Sequence, residues 1–199
     1  MGIQYYKEEN LVENYLSDEE LKRFVDVLTT DANRNVCNIL LLLLQTGCRV
    51  GEILSLRWAD CDLEHRVIRI AQKNSKSGTR RSIPLNSGAV EILERQLMIT
   101  KDFDYCFINP VTKDRYKNIS KVFERLKRCA GIKIRLHDTR HNFASMLIND
   151  GRSLFEVQRI LGHSSPVVTQ RYAHLTAKTL EDAANCASNR IDKVMKKSA

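Results

Sequence analysis

The spacing of apolar residues predicts a chain built mainly of helices. Leu21, Phe24 and Leu28 follow steps of three and four residues, which is the repeat of one helical face, and the Ser-Asp-Glu-Glu segment that starts at Ser17 is a capping box. The segment 36–45 is apolar on nearly every side. A helix that is apolar all round is normally buried, so we expect this one at the centre of the domain.

Two later segments carry the same helical repeat. In the segment 87–98 the residues predicted to face inward are Val90, Leu93 and Leu97. In the segment 119–130 they are Val122, Phe123 and Leu126, and the opposite face is basic. We expect both helices to lie on the surface of the domain, each with one face against the core.

Between these helices, β-branched residues predict a hairpin. Val67, Ile68 and Ile70 form one strand, the segment 82–85 forms its return, and the segment 73–79 has the Gly and polar residues of a hairpin tip. The predicted fold class is therefore mainly α with a small antiparallel β-sheet (α+β).

The stretch 136–175 predicts three short helices separated by turns. The Asn-Asp-Gly sequence ending at Gly151 stops the first helix, Ser153 caps the second, and Gly162 ends it. The third begins with Pro166 at its first position, after a serine cap. Polar side chains near these helix ends can converge on one pocket.

The charge of the chain is unevenly distributed. The net charge is +8, yet residues 1–31 hold eight carboxylates against three Lys or Arg. Residues 66–90 hold six Lys or Arg and no carboxylate, and residues 113–140 hold ten against three. Two basic blocks indicate a polyanionic partner, in the first place nucleic acid.

The cysteine spacing and the length of the apolar runs exclude several classes of protein. The six cysteines are scattered without the paired spacing of a zinc site or a disulfide framework, which favours a reduced, cytosolic chain. The longest apolar run, 39–44, is far too short to span a membrane, so no membrane partner is expected.

Four polar residues recur near the predicted helix starts and turns: His137, Arg140, His163 and Tyr172. His137 and Arg140 are three apart and so share one helical face. Cleavage of a phosphodiester needs fixed N–H donors for its growing negative charge, a nucleophile and a proton donor. Each residue alone has an ordinary structural interpretation, and only their combination indicates this chemistry.

These residues resemble the signature of the tyrosine recombinase (phage integrase) family. His137-Asp-Thr-Arg140-His141 resembles its H-x-L-R-H box, and Leu-Gly-His163 followed nine residues later by Tyr172 resembles its LGH…Y box. The resemblance covers about residues 15 to 180. It implies the catalytic-domain fold of that family, with Tyr172 as the nucleophile.

An upstream segment resembles a further box of the family. The sequence T-G-C-R-V-G-E resembles T-G-x-R-x-x-E, which supplies the first catalytic arginine, here Arg49. Glu52 is expected to orient Arg49 or a neighbouring histidine. Gly51 stands where the family usually has Ser or Ala, a departure that loosens the helix slightly.

The hairpin tip carries the implied proton donor. The sequence K-S-G-T-R-R-S-I-P-L that starts at Lys76 resembles the family's K-x-G-x-x-R-x-I-P-L hairpin, whose lysine is the general acid. Lys76 is therefore the implied donor to the leaving 5′ oxygen, and Lys73 remains its rival.

The resemblance implies a complete mechanism. Arg49 and Arg140 clamp the phosphate oxygens, His163 adds a hydrogen bond, and His137 accepts the proton of Tyr172. The product is a 3′-phosphotyrosyl bond, and no metal, ATP or other cofactor is required. His137 and His141 are four apart, a zinc-chelating spacing, but no third ligand is evident and helix packing is the expected role of His141.

The implied partners are double-stranded DNA and further copies of the chain on DNA, in a tetrameric synapse, with room for accessory DNA-bending proteins. The residues expected to contact DNA are basic and lie on the hairpin and the 119–130 helix: Lys73, Arg80, Arg81, Lys121, Arg125, Lys127 and Arg128. The expected location is the cytoplasm of a bacterium, in association with the nucleoid.

The resemblance also suggests a domain plan. Residues 1–16 are expected to be a lead-in or the remnant of an inter-domain linker, and residues 17–199 the catalytic domain, without the N-terminal core-binding domain of full-length members. A helix at about 177–196, with a modest apolar stripe, is expected to pack on its own domain or on a second copy.

Two other functions share these residues. A regulator with the fold but without activity would bind DNA and form no covalent adduct, although every catalytic position here has the expected residue type. A type IB topoisomerase would use the same chemistry to relax DNA, although the LGH box favours a recombinase.

Overall fold

The computed structural model describes residues 15–70 and 81–162, together with Thr169 and Tyr172. In these residues the helices are α1 (Asp18–Thr30), α2 (Arg34–Thr46), α3 (Val50–Leu54), α4 (Ser87–Thr100), α5 (Ser120–Ala130), α6 (Asp138–Asn149) and α7 (Leu154–Leu161). The strands are β1 (Cys61–Asp62), β2 (Val67–Ile70) and β3 (Arg81–Pro84), and a short 3-10 turn (Trp58–Asp60) precedes β1. This is the predicted fold class, mainly helical with a small antiparallel sheet.

Helix α2 is the centre of the domain, as its sequence predicts. It packs against α1, α3, α4 and α6, and every residue from Val36 to Leu44 is buried. A helix in this position has no solvent face, which explains why its sequence lacks a polar stripe. The amphipathic helix α1 packs on α2 and α5 through Phe24 and Leu28, and the capping box between Ser17 and Glu20 is present.

Helix α4 is rotated relative to its predicted orientation. Its buried residues are Ala89, Ile92, Leu93, Gln96 and Thr100, while Val90 and Leu97 are only half-buried. Gln96 turns inward because its amide hydrogen-bonds the side chains of Asn38 (2.9 Å) and Asn35 (2.7 Å). Sequence spacing placed only apolar residues in the core, whereas a polar residue that satisfies its hydrogen bonds can also be buried.

The hairpin forms one edge of the domain. Strand β2 lies between β1 and β3 in an antiparallel sheet, with Ile68 opposite Ile83 and Ile70 opposite Arg81. Ile68, Ile70 and Ile83 face the core. The sheet therefore sets Arg81 at the base of the hairpin tip, which itself lies outside the described residues.

The turns after α6 and α7 agree with the sequence. Gly151 and Gly162 both have positive φ (84° and 66°), and Ser153 caps α7 in a capping box with Glu156. The N-terminal entry to the domain reaches α6, because the backbone N–H of Leu16 donates to Asn142 Oδ1 at 2.7 Å. No described helix is long and apolar enough to cross a membrane.

Candidate active site

Arg49 lies at the start of α3, directly after a sharp turn. Gly47 ends α2 in the left-handed conformation (φ 61°), which turns the chain so that Arg49 begins the next helix. Glu52 then accepts hydrogen bonds from the Arg49 backbone N–H (2.8 Å) and from its Nη1 (3.0 Å). Glu52 is 1% exposed and the Arg49 side chain 24%, so the carboxylate supports the arginine from the buried side, as predicted.

Arg140 is the most deeply buried arginine of this region, with 4% of its surface exposed. It projects from α6, and its two Nη groups donate to the carbonyls of Gly47 (2.7 Å) and Leu161 (2.8 Å). Burial, followed by repulsion from Arg49 and Arg81, lowers the pKa of Arg140 to about 10, while Glu52 opposes that shift. Arg140 is still protonated at neutral pH.

Arg81 occupies a different place from the one its sequence suggested. Expected to contact DNA, it is instead largely buried: its Nη2 lies 2.6 Å from Glu52 Oε2, and its Nη1 donates to the Leu161 carbonyl. The side chain is 12% exposed. This partly enclosed position differs from the surface position expected of a DNA contact, and the assignment of Arg81 to DNA binding stays a prediction.

Arg49 and Arg81 thus share the Glu52 carboxylate, and Arg140 lies near enough to interact electrostatically with all three groups. Arg49, Arg81 and Arg140 bring three positive charges to this site, against the single negative charge of Glu52. Within the described residues, neither Nε nor Nη2 of Arg49 donates to a protein acceptor. The pocket therefore has excess positive charge and free N–H donors, a combination that suits an anion.

His137 lies at the N-terminal cap of α6, three residues before Arg140. Its ring is exposed at the edge of the site, yet partial burial and the nearby Arg140 lower its pKa below the usual value. The neutral form therefore predominates at neutral pH, and a neutral imidazole can accept a proton.

Tyr172 contacts His141 rather than His137. The Tyr172 hydroxyl lies 2.5 Å from Nδ1 of His141, and Tyr172 is 1% exposed. The sequence predicts His137 as the proton acceptor of Tyr172 and helix packing for His141, whereas in this arrangement the hydroxyl contacts His141. The two imidazoles are neighbours, with ring centroids 5.3 Å apart and edge to face.

Other predicted residues fall into two groups. Lys73, Lys76, Arg80, His163 and the helix at about 177–196 lie outside the described residues, so those assignments stay predictions. On α5, Arg125 forms two hydrogen bonds to Asp31 (2.6 and 2.8 Å), and Lys127 lies 2.8 Å from Glu124. Lys121 and Arg128 are exposed and have no ion pair within the described part of the chain.

Two features of the site could not be predicted from the sequence. The first is the set of contacts that Arg81 makes with Glu52 and Leu161, which are distant in the chain, although the sequence placed Arg81 in the hairpin motif. Asp138 was not singled out either: it is 2% exposed and holds the Arg135 backbone N–H (2.8 Å) and side chain. Burial alone would raise the pKa of Asp138, but the hydrogen bonds from Arg135 outweigh it and lower that pKa.

No group of three or more His, Cys, Asp or Glu among the described residues has the arrangement of a metal site. The pair His137 and His141, which the spacing made a zinc candidate, has no third ligand there. His141 already contacts Tyr172 through Nδ1.

Comparison with known proteins gives consistent matches. The family model described as "Phage integrase family" matches residues 14–179. Tyrosine recombinase XerA of Pyrococcus furiosus is 32% identical over 178 residues, covering 87% of this chain and 61% of the relative. Tyrosine recombinase XerC of Bacillus pumilus is 35% identical over 192 residues, with the same coverage of 87% and 61%. The chain thus spans about 61% of the length of these curated relatives.

Solved structures agree with the sequence matches. The crystal structure of XerA recombinase superposes with a TM-score of 0.71 at 30% identity, covering 87% of this chain and 63% of that one. The catalytic domain of bacteriophage HP1 integrase gives 0.65 at 25% identity, covering 86% and 93%. XerH site-specific recombinase bound to its palindromic difH substrate gives 0.70 at 27% identity, covering 86% and 52%.

Proposed function

The chain belongs to the phage integrase family of tyrosine recombinases, and from this premise we propose that it is the catalytic domain of a site-specific DNA recombinase. It cleaves and rejoins DNA strands through a 3′-phosphotyrosyl intermediate. The observation that carries the proposal is the cluster of three arginines in the described structure: Arg49 and Arg81 pair with the buried Glu52, and Arg140 lies beside them. Its excess positive charge suits the phosphodiester of a DNA backbone.

Arg49 and Arg140 stabilise the phosphate in the proposed reaction. Negative charge on the non-bridging oxygens grows as the nucleophile approaches, and fixed N–H donors are most effective where that charge develops. Arg49 meets this need because its Nε and Nη2 have no described protein acceptor. Arg140 contributes its charge from a rigid position, held by the carbonyls of Gly47 and Leu161.

Two protons move in the covalent step, one from the nucleophile and one to the leaving group. The Tyr172 oxygen forms a bond to phosphorus, its proton passes to His137, and the bond from phosphorus to the 5′ oxygen breaks. Lys76 supplies a proton to that leaving oxygen, and His163 donates a hydrogen bond to the phosphate. The lowered pKa of His137 supports its role, because the ring must be neutral to accept a proton. A 5′ hydroxyl of another strand then reverses the step, which conserves the phosphodiester's energy.

The described arrangement corresponds to a resting state of this reaction. Tyr172 is buried against α6 and α7, with its hydroxyl on His141, so its side chain leaves this position before it attacks. XerH, which shares this fold, is a site-specific recombinase solved with its difH substrate, and this supports our proposal that the partner of this chain is double-stranded DNA. We also propose that further copies of the chain bind the same DNA in a tetrameric synapse, and that accessory DNA-bending proteins assist. The expected location is beside the bacterial nucleoid.

Covalent capture tests the proposal. A pool of nicked duplexes with randomised half-sites is incubated with the protein, and DNA that stays attached after denaturation is recovered and sequenced. The intact chain is expected to form a protein–DNA adduct, whereas Tyr172→Phe forms none and keeps its DNA affinity, because it loses one oxygen and no charge. Binding without adduct from the intact chain would favour an inactive regulator instead.

Two further measurements refine the proposed chemistry. Adduct formation is expected to continue in the presence of a chelator and without ATP, because arginine, histidine and lysine side chains supply the positive charge that a metal brings to other phosphoryl transfers. Loss of adduct on chelation, with recovery on adding Mg²⁺ or Zn²⁺, would contradict that mechanism. Exchanged strands between two sites would indicate a recombinase, and relaxed circles alone a topoisomerase.

A further inference from the structure

Arg81 lies between the two proposed catalytic arginines without being one of them. We propose that it is a positioning residue, which ties Glu52 to the C-terminal end of α7 and thereby fixes Arg49 and Arg140; this inference rests on the proposed function. The residue begins β3, opposite Ile70, and it follows the segment to which the sequence analysis assigns Lys76. Its guanidinium thus joins the hairpin to the rest of the pocket.

The first contact that supports this role is with Glu52. The two carboxylate oxygens of Glu52 divide their partners: Oε1 meets Arg49 Nη1 at 3.0 Å, and Oε2 meets Arg81 Nη2 at 2.6 Å. With both oxygens held, the carboxylate cannot rotate without breaking an ion pair. Arg81 therefore fixes the group that in turn orients Arg49.

The second contact is with the Leu161 carbonyl. This carbonyl accepts from Arg81 Nη1 and also from Arg140 Nη2, the latter at 2.8 Å. Two like-charged groups approach one acceptor here, and Glu52 offsets their repulsion. Arg81 and Arg140 thus grip the same turn, which is the turn that leads directly to His163 in the sequence.

The shape of the chain around Arg81 is consistent with this placement. A Cβ at Gly162 would lie 2.7 Å from Arg81 Cδ and closer still to its Nη1, so the glycine leaves open the space that the arginine side chain occupies. Arg81 Nε is buried and, in the described part of the chain, has no hydrogen-bond partner. The two Nη contacts therefore determine where the guanidinium lies.

The opposite interpretation is that Arg81 contacts DNA, as its sequence suggested. The two interpretations predict different kinetics. A DNA contact mainly affects the dissociation constant, whereas a positioning residue affects the cleavage rate of protein already bound to DNA. Arg69, on the neighbouring strand β2, is the matched control, because it is 57% exposed and, among the described residues, its ion pair is with Asp62 at the surface.

The experiment compares Arg81→Met, Arg81→Lys and Arg69→Met. Adduct formation is measured in single turnover at saturating protein, and the dissociation constant by gel shift. We expect Arg81→Met to slow cleavage roughly 100-fold, with a change in the dissociation constant below about threefold. Arg81→Lys should lose only about tenfold, because an ammonium group reaches one of the two acceptors but not both. Arg69→Met should cleave normally. A full cleavage rate in Arg81→Met with weakened binding would overturn the proposal.

A measurement without DNA separates this inference from the proposed function. In ¹⁵N-arginine spectra of the intact chain, the Nη protons of Arg140 should be resolved and slow to exchange, and Arg81→Met should make them exchange at least tenfold faster. Unchanged exchange in Arg81→Met would overturn the positioning role. If the intact chain forms no adduct with any DNA, the proposed function fails, and this comparison still decides what Arg81 does. Arg81→Lys keeps the charge and gives the same comparison if Arg81→Met does not fold.

Discussion

The hydroxyl of Tyr172 lies 2.5 Å from Nδ1 of His141, and this contact holds the proposed nucleophile in a buried position. The side chain packs in an apolar cluster with Ala144, Ile148, Val157 and Leu161. A tyrosine that is 1% exposed cannot reach a DNA phosphate. In the proposed mechanism Tyr172 therefore leaves this position before cleavage, and its contact with His141 opposes that step.

The two histidines of α6 should accordingly differ in their effects. His141→Phe removes the hydrogen bond that retains Tyr172, which is worth about 0.5–1.5 kcal/mol, so single-turnover cleavage should rise roughly two- to tenfold. His137→Gln removes the proposed proton acceptor and should slow cleavage about 100-fold or more. If His141→Phe is as slow as His137→Gln, His141 is the proton acceptor.

Gly47 and Gly51 provide a matched pair of substitutions. Gly47 has φ 61°, and a Cβ there would lie 2.7 Å from Leu161 Cδ2 and closer still to the Phe143 ring, whereas a Cβ at Gly51 meets nothing within 4 Å. Gly47→Ala should destabilise the domain by more than about 1 kcal/mol and displace the carbonyl that holds Arg140. Gly51→Ala should stabilise it by roughly 0.5 kcal/mol, because it replaces a helical glycine. Urea unfolding of both variants checks this. Equal effects would contradict the described turn.

The basic face of α5 should divide into structural and DNA-contacting residues. Arg125 is engaged with Asp31, while Arg128 is exposed. Arg128→Met should weaken DNA binding more than Arg125→Met and reduce the salt dependence of binding by about one unit of slope. Gel-shift titrations at several salt concentrations measure both. A larger loss of DNA affinity from Arg125→Met would indicate that Arg125 contacts DNA.

The same ion pair gives a pH dependence. The hydrogen bond from Arg125 lowers the pKa of Asp31 to about 2 from 3.8, so the folded state binds this proton less readily than the unfolded chain. The pair therefore stabilises the fold above about pH 4, and that contribution is lost as the pH falls towards 2. Arg125→Met should lower the free energy of unfolding at pH 6 and converge with the intact chain near pH 2. A constant difference across that range would contradict the pair.

Lys76 remains a prediction from the sequence. Lys76→Ala should slow cleavage severely on ordinary DNA and far less on DNA whose 5′ leaving oxygen is replaced by sulfur, because a thiolate leaves without a proton. Cleavage assays on the two substrates provide the comparison. Equal defects would assign the general acid elsewhere, with Lys73→Ala the next variant to compare.

The segment after Tyr172 is also predicted from its sequence alone. Deletion of residues 178–199 should weaken cooperative assembly on a paired site more than binding to a half-site, because an apolar stripe there has to be buried on a domain. Gel-shift titrations with one and two half-sites distinguish the two effects. The same cooperativity in the truncated and intact chains would show that the segment has no part in assembly.

The sequence predicted the helices well because their signals are local. The capping box at Ser17, the cap at Ser153, the apolar helix α2 and the glycine stops at Gly151 and Gly162 depend on neighbours a few residues away, and the structure confirms each. The inward face of α4 was predicted less well. There Gln96 is buried through partners about sixty residues distant, which no local pattern reveals.

The residues of the candidate site also divide into those that local sequence patterns predict and those that they do not. Residue type and spacing indicated Arg49, Glu52, His137 and Arg140, and the structure places each of them at or beside the arginine pocket. The partners of Arg81 and Tyr172 were not predictable, because they depend on which distant groups meet in the folded chain. For Arg81 the structure shows a largely enclosed side chain that contacts Glu52 and Leu161.

The Leu161 carbonyl, shared by Arg81 and Arg140, is also the last of α7. The C-terminus of a helix carries a partial negative charge from its aligned peptide dipoles. Helix α7 therefore acts as a weak counterion for both arginines, and it holds them without a second carboxylate. A full negative charge in that place would cancel more of the positive charge of the site and weaken its attraction for a phosphodiester. A helix end supports the arginines and leaves most of their charge for the ligand.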